Sequence, residues 1–242
     1  MIRESRIMRQ PCGTSMMIRI PKVLTPAQHA ACRQELSRVE WIDGAKTAGS
    51  LTKAVKHNMQ VPQTHPAARR LGEMILEALS KNALFMRAAL PLRIVPPNFN
   101  RYSVGESYGD HVDATTQHVW NSPDRVRTDL SATLFLTPPE DYDGGELTLH
   151  DDLGDRAIKL PAGDLVLYPA TSVHHVTPVT RGVRLAAFFW IQSMVRDDGE
   201  RGILFDLGTA LNQFEQALPE HPAVVQLTGV YFNLFRRWTD TS

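Results

Sequence analysis

Between residues 92 and 193 the chain is cut into short β-rich runs, and this segmentation limits the fold more than any other feature. "LRIVPPNFNRYS", "DLSATLFLT", "GELTLH", "RAIKL", "DLVLYP", "SVHHVTPV" and "GVRLAAFFWIQS" are separated by turn clusters such as "PPEDYDGG", "DDLGD", "LPAG" and "TRG". Runs of this length, rich in β-branched and aromatic residues and bounded by Gly, Pro and Asp, read as strands. Several of them at this spacing predict an all-β sandwich or barrel. The 242 residues suit one large domain of that kind.

Helices are expected on both sides of the β region. "LTPAQHAACRQELSRVEW" opens with Thr25, Pro26 and Gln28, a capping box with proline at the first helical position. His29, Cys32, Leu36 and Val39 follow at helical spacing, which predicts a helix over about 26–39. "THPAARRLGEMILEALSKNALFMRAAL" carries Leu71, Met74, Ile75, Ala78 and Leu79 on one face and reads as a single longer helix packed on a sheet. Near the C-terminus, Leu227, Tyr231, Leu234, Phe235 and Trp238 form another apolar face. The expected organisation is an N-terminal extension over 1–15 without order, a helical part over 16–91, a β core over 92–196 and helices over 197–242.

Charge and cysteine usage exclude several function classes. The 26 basic and 26 acidic residues balance, so bulk electrostatics offer nothing to a nucleic acid. No apolar run is long enough to span a bilayer. The two cysteines, Cys12 and Cys32, have neither a disulfide framework nor zinc-type spacing. "MIRESRIMRQPCGTS" lacks the apolar stretch of a secretion signal. Together these predict a reducing, cytoplasmic setting. The hydrophobic fraction of 43% is enough for a sizeable core.

Within the β region, "YGDHVDATTQ" (108–117) places His111 and Asp113 two residues apart. On a strand both would point to the same face, with Asp110 and Val112 on the other. That pattern suits a metal, and it equally suits a solvated polar face. A second stretch, "YPATSVHHVTPVTRGVRLAAFFW", offers His174 and His175, a turn at about 178–182 and a returning strand with Arg184. Read as a hairpin with strands roughly 5 Å apart, it brings a histidine and an arginine to one cavity. Two histidines and one carboxylate form the facial set that suits non-haem Fe(II), leaving three positions open for a chelating co-substrate and O₂. Arginine suits the remote carboxylate of a dianionic co-substrate, because its planar fork bonds bidentately and stays charged. Zinc hydrolysis also fits two His and an acid, but it does not account for the arginine, and the chain has no HExxH motif.

The order HxD…H…R on a β core resembles the Fe(II)/2-oxoglutarate dioxygenases, in particular the prolyl 4-hydroxylase-like branch and its bacterial PKHD-type hydroxylases. The resemblance is carried by "MMIRIPKVLTP", "FNRYSVGESYGDHVD", "RTDLSATLFLTPPEDYDGGELTL" and "KLPAGDLVLYPATSVHHVTPVTRGVRLAAFFWIQSMVRDD". It implies a mainly β fold, a double-stranded β-helix or jelly roll with flanking helices. It also implies His111, Asp113 and His174 as iron ligands, with His175 on the opposite face. Arg184 takes the place of the anchor for the 2-oxoglutarate carboxylate. Tyr102 sits where related prolyl hydroxylases place a tyrosine against the co-substrate. The chain departs from the family at "KHNMQ" (56–60), where "KNNQQ" is frequent; this segment is expected at the substrate entrance.

The implied reaction hydroxylates a C–H bond while 2-oxoglutarate and O₂ become succinate and CO₂, with L-ascorbate as an expected helper. Related halogenases lack the carboxylate ligand, so Asp113 favours hydroxylation. The primary substrate stays open: a peptide or protein residue, or a small metabolite, including one linked to iron uptake. The polar segment 114–128, with Trp120, Pro123, Arg125 and Arg127, is expected to be a mobile loop over the iron. A non-catalytic, cupin-like metal-binding protein and a Zn²⁺- or Mn²⁺-dependent hydrolase or isomerase are the competing readings.

Overall fold

Two antiparallel sheets face each other across an internal cavity, and the chain repeatedly crosses from one to the other. The computed structural model describes residues 16–47, 52–119, 123–151 and 154–241. The expected extension at 1–15 lies outside them. In chain order the first strands are β1 (Ile18–Ile20), β2 (Ile42–Asp43), β3 (Lys56–His57), β4 (Met59–Gln60), β5 (Pro91–Ile94) and β6 (Asn98–Tyr102). Next come β7 (Ser107–His111), β8 (Thr116–His118), β9 (Arg125–Arg127), β10 (Leu130–Phe135), β11 (Asp143–Gly144) and β12 (Leu147–Leu149). The last are β13 (Arg156–Ile158), β14 (Leu165–Pro169), β15 (His174–Val176), β16 (Val179–Arg181) and β17 (Arg184–Ser193).

The larger sheet runs β1-β14-β10-β17-β6-β4-β2, with β5 also paired to β17. The smaller runs β13-β12-β15-β7-β3. Successive strands therefore alternate between sheets: β6 then β7, β10 then β12, β14 then β15, and back to β17. This alternation is what a jelly roll requires, and it brings residues far apart in sequence to a shared interior.

A period of two decides what each strand offers. In β10, Leu130, Ala132 and Leu134 join the core under the helices, while Phe135 belongs to the cluster between the sheets and Ser131 and Thr133 line the cavity. Leu165 and Leu167 of β14 likewise face the helices, and Val166 and Tyr168 face inward. In β17, Ala187, Phe189 and Ile191 join the core under the helices, and Arg184 lines the cavity.

Three helices cover the outer face of the larger sheet: α1 (Pro26–Leu36), α2 (Pro66–Ser80) and α3 (Ala83–Ala89). The capping box of α1 is present, with the Gln28 amide donating to Thr25 Oγ1 and the Thr25 amide to Gln28 Oε1. Its C-terminus falls at Leu36, short of the expected 39, because the Ser37 amide closes the last turn on the Arg33 carbonyl. The expected single helix over 64–90 is two. It breaks at Lys81 and Asn82, and Asn82 Oδ1 caps α3 by accepting from the Phe85 amide at 3.0 Å. The buried face of α2, Leu71, Ile75 and Leu79, is as the spacing predicts.

At the other end, α4 (Asp198–Ala217) and α5 (Pro222–Trp238) pack together. The α5 side chains Tyr231, Leu234, Phe235 and Trp238 meet Leu90, Val195 and Leu204. None of the described helices is long and apolar enough to cross a membrane.

Candidate metal centre

The hairpin expected between His174 and Arg184 does not form. β15 pairs with β12 and β7 in the smaller sheet, whereas β17 pairs with β10, β5 and β6 in the larger. The intervening β16 pairs with β11 instead. The chain leaves one sheet after His174 and enters the other at Arg184, so both residues line one cavity from opposite walls. Gly182 makes this crossing possible. Its φ is +72°, and a Cβ there would lie 2.2 Å from the Asp141 carbonyl oxygen.

His111 and His174 are directly opposite in the β7–β15 ladder, with ring centroids 4.1 Å apart. β7 ends at His111, so Asp113 lies just beyond the strand rather than on it. It still reaches the two rings: Asp113 Oδ2 is 3.9 Å from His174 Nε2. One ligand-type atom from each of His111, Asp113 and His174 falls within 4.8 Å of the other two.

Each imidazole is fixed by its other nitrogen. His111 Nδ1 donates to the Gly109 carbonyl at 2.8 Å, and His174 Nδ1 to the Ser172 carbonyl at 3.0 Å. A carbonyl only accepts, so each ring carries a proton on Nδ1, which makes Nε2 the nitrogen that could ligate a cation. Burial, and then the neighbouring His174, push the His111 pKa down to about 4, which keeps its ring neutral near pH 7. Asp113 is held by Ser131, whose Oγ donates to Oδ2 at 2.5 Å. Ligands oriented in this way by a second layer of hydrogen bonds are characteristic of metal sites. The same three residue types fit a ferrous ion with open positions.

Arg184 lies deeper in the larger sheet, only 1% exposed. It stands opposite Tyr102 in the β6–β17 ladder. Its guanidinium carbon is 5.3 Å from the ring centroids of both Tyr102 and Phe135. Among the described residues its Nε and Nη1 have no hydrogen-bond partner of good geometry, with the Tyr142 hydroxyl as the neighbouring polar group. Two orphaned donors on a buried cation are costly unless an anion completes them. Burial pushes the Tyr102 hydroxyl up to about 12, so it stays a neutral donor.

The cavity measures about 370 Å³. Its walls also carry residues that spacing alone did not single out: Ser131, Asn98 and Asn100, besides Lys56, Asn58 and Gln60 of the "KHNMQ" segment. Burial lowers the Lys56 pKa to about 8 against the opposing pull of Asp113. The segment expected as a mobile loop is in part a ribbon of β8 and β9, with Val126 buried and Gln117 on the cavity wall. Trp120 lies outside the described residues. His175 does face away from the cavity, with Nδ1 2.7 Å from Asp110 Oδ1.

Comparison with known proteins places these features in context. Residues 97–192 match the 2OG-Fe(II) oxygenase superfamily, and residues 198–240 match the PKHD-type hydroxylase C-terminal domain. A PKHD-type hydroxylase of Bordetella pertussis is 53% identical over 225 residues, covering 93% of this chain and all of the relative. One from Burkholderia lata is 54% identical over 226 residues, again covering 93% of this chain and all of the relative. Among solved structures, HygX from Streptomyces hygroscopicus, with nickel and 2-oxoglutarate bound, superposes with a TM-score of 0.50 at 16% identity. That match covers 73% of this chain and 82% of HygX, and it bears on the fold alone.

Proposed function

Since the chain belongs to the PKHD-type hydroxylases of the 2OG-Fe(II) oxygenase superfamily, we propose that His111, Asp113 and His174 hold its ferrous ion and that Arg184 holds its 2-oxoglutarate. The single observation that carries this reading is the buried guanidinium with orphaned donors in the same cavity as the three ligand-type side chains. A neutral polar lining would satisfy Arg184 with hydrogen bonds; a bidentate carboxylate satisfies it with charge as well.

When bound, iron couples the oxidative decarboxylation of 2-oxoglutarate by O₂, giving succinate and CO₂, to insertion of the other oxygen atom into a substrate C–H bond. The protein's part is geometric. His111 and His174 would present their Nε2 atoms on one side, Asp113 would supply the compensating negative charge, and Ser131 keeps that carboxylate aimed inward. Arg184 fixes the far end of the co-substrate. Tyr102, beside it on the cavity wall, would offer its neutral hydroxyl to the same end. Phe135, its ring centroid also 5.3 Å from the guanidinium carbon, would help exclude water from that charge pairing and so strengthen it.

Family membership supports turnover over the non-catalytic, cupin-like reading. We assign residues 92–196 as the catalytic core; the expected helical part 16–91 also adds β1 to β4 to its two sheets besides helices that brace it, and 197–242 packs at the other end. L-ascorbate is expected to sustain activity by keeping iron ferrous. The free, buried Cys32 is consistent with a reducing, cytoplasmic setting. The substrate, a peptide or protein residue or a small metabolite, would meet Lys56, Asn58 and Gln60 on the cavity wall. The test is succinate formation from 2-oxoglutarate, dependent on Fe(II) and O₂. His174→Ala should abolish iron binding, and Arg184→Ala should raise the 2-oxoglutarate requirement. Full succinate formation in both variants would refute the assignment.

A further inference from the structure

The smaller sheet carries a second cluster of ligand-type groups on its outer face, directly behind the first. Asp110 precedes His111 on β7, and His175 follows His174 on β15, so the period of two sends this pair outward as it sends the other inward. His150, just after β12, completes the group. Asp110 Oδ1 is 2.9 Å from His150 Nε2 and 2.7 Å from His175 Nδ1. The two imidazole centroids are 5.3 Å apart, with the rings inclined at 50°. One ligand-type atom from each residue lies within 4.8 Å of the others.

His150 makes this more than a polar patch. Its Nδ1 is 2.7 Å from Asp155 Oδ1 while its Nε2 faces Asp110. A neutral imidazole has one N–H, so it can donate to only one of the two carboxylates. If that proton sits on Nδ1, the Nε2 lone pair meets a carboxylate oxygen, an arrangement that needs a cation between them. A second proton or a metal ion can serve. A carboxylate on Nδ1 is also the arrangement that orients metal-bound histidines and raises their basicity.

We propose that Asp110, His150 and His175 form a second metal site, distinct from the iron centre, for a divalent ion of the borderline transition class such as zinc. Two imidazoles and one carboxylate favour that class over Mg²⁺ or Ca²⁺, which prefer oxygen. With ligand bonds of about 2.0–2.1 Å, a tetrahedral ion needs donor atoms about 3.3 Å apart. The observed spacings of 2.7 and 2.9 Å require only a small outward shift of accessible side chains. An ion here ties β7, β15 and the end of β12 together on the face opposite the iron ligands, bracing the two strands that position His111 and His174.

The experiment is equilibrium dialysis of the metal-free full chain against Zn²⁺ at neutral pH, with bound metal counted per chain. Zinc probes both sites, so the variants separate them. His150→Ala should lose one equivalent relative to the wild type while keeping the iron-site equivalent. His174→Ala should lose a different one, and the double variant should lose both. Zn²⁺ should raise the melting temperature of His174→Ala and not that of the double variant. Unchanged zinc stoichiometry in His150→Ala overturns the second site and leaves a protonated His150 bridging two carboxylates. Unchanged stoichiometry in His174→Ala instead counts against the iron-site assignment.

Discussion

Arg184 and Tyr102 stand opposite each other on neighbouring strands, with the guanidinium carbon 5.3 Å from the phenol ring centroid and, among the described residues, no ion-pair partner for the cation. An unpaired buried charge is a cost to the fold unless the protein uses it. Arg184→Met, which replaces the charge with an apolar chain of similar length, should therefore leave the melting temperature of the ligand-free protein unchanged or raised. The same variant should lose the stabilisation that 2-oxoglutarate gives the wild type in thermal unfolding. A large fall in ligand-free stability would mean that Arg184 serves the fold.

Arg184→Lys separates charge from shape. The ammonium keeps the positive charge but loses the planar fork. Losing one hydrogen bond to a charged group costs about 1.5 kcal/mol or more, so KM for 2-oxoglutarate should rise about tenfold or more. Steady-state kinetics with varied 2-oxoglutarate give the value.

Ser131 touches the proposed iron site through Asp113, to which its Oγ donates at 2.5 Å. Ser131→Ala should weaken Fe(II) affinity about 10- to 100-fold, as loss of such supporting contacts does elsewhere. Its melting temperature without metal should change little. Competition with a calibrated chelator measures the affinity, and an unchanged value would exclude the supporting role.

Cys32 is fully buried, and burial, reinforced by the nearby Glu35 charge, pushes its thiol up to about 12. A raised pKa keeps the thiol protonated, and only the thiolate is nucleophilic. The peptide bearing Cys32 should remain unmodified by iodoacetamide at pH 8.5 in the native protein and react fully in denaturant, as read by mass spectrometry.

Gly182 controls the entry to β17. Gly182→Ala forces a Cβ into a left-handed φ of +72° and against the Asp141 carbonyl. A destabilisation of about 1–3 kcal/mol is expected, with KM for 2-oxoglutarate raised because Arg184 is two residues away. Denaturant titration and kinetics on the same preparation test both effects.

Much of this arrangement could be read from residues alone, and the exceptions have physical causes. Turn clusters separated the strands correctly because Gly, Pro and Asp act locally. The pairing of those strands is not local. "VTPVTRGVRL" reads as a hairpin, yet β16 binds β11 and β17 crosses to the other sheet, a choice made by partners far away in sequence. The break at Asn82 was available as a capping signal but was masked by helical spacing on either side. His111, Asp113, His174 and Arg184 stood out because ligand-type residues at strand spacing are chemically distinctive. Ser131 and the carboxamides Asn58, Gln60, Asn98 and Asn100 did not, because a polar residue on a strand gives no sign of facing a cavity rather than solvent.

The most direct test is a crystal structure of the protein grown without oxygen in the presence of Fe(II) and 2-oxoglutarate. The account predicts iron bonded to His111 Nε2, His174 Nε2 and an Asp113 carboxylate oxygen, with the far carboxylate of the co-substrate on the Arg184 guanidinium. Iron seated only on Asp110, His150 and His175, or a co-substrate carboxylate held away from Arg184, would contradict it.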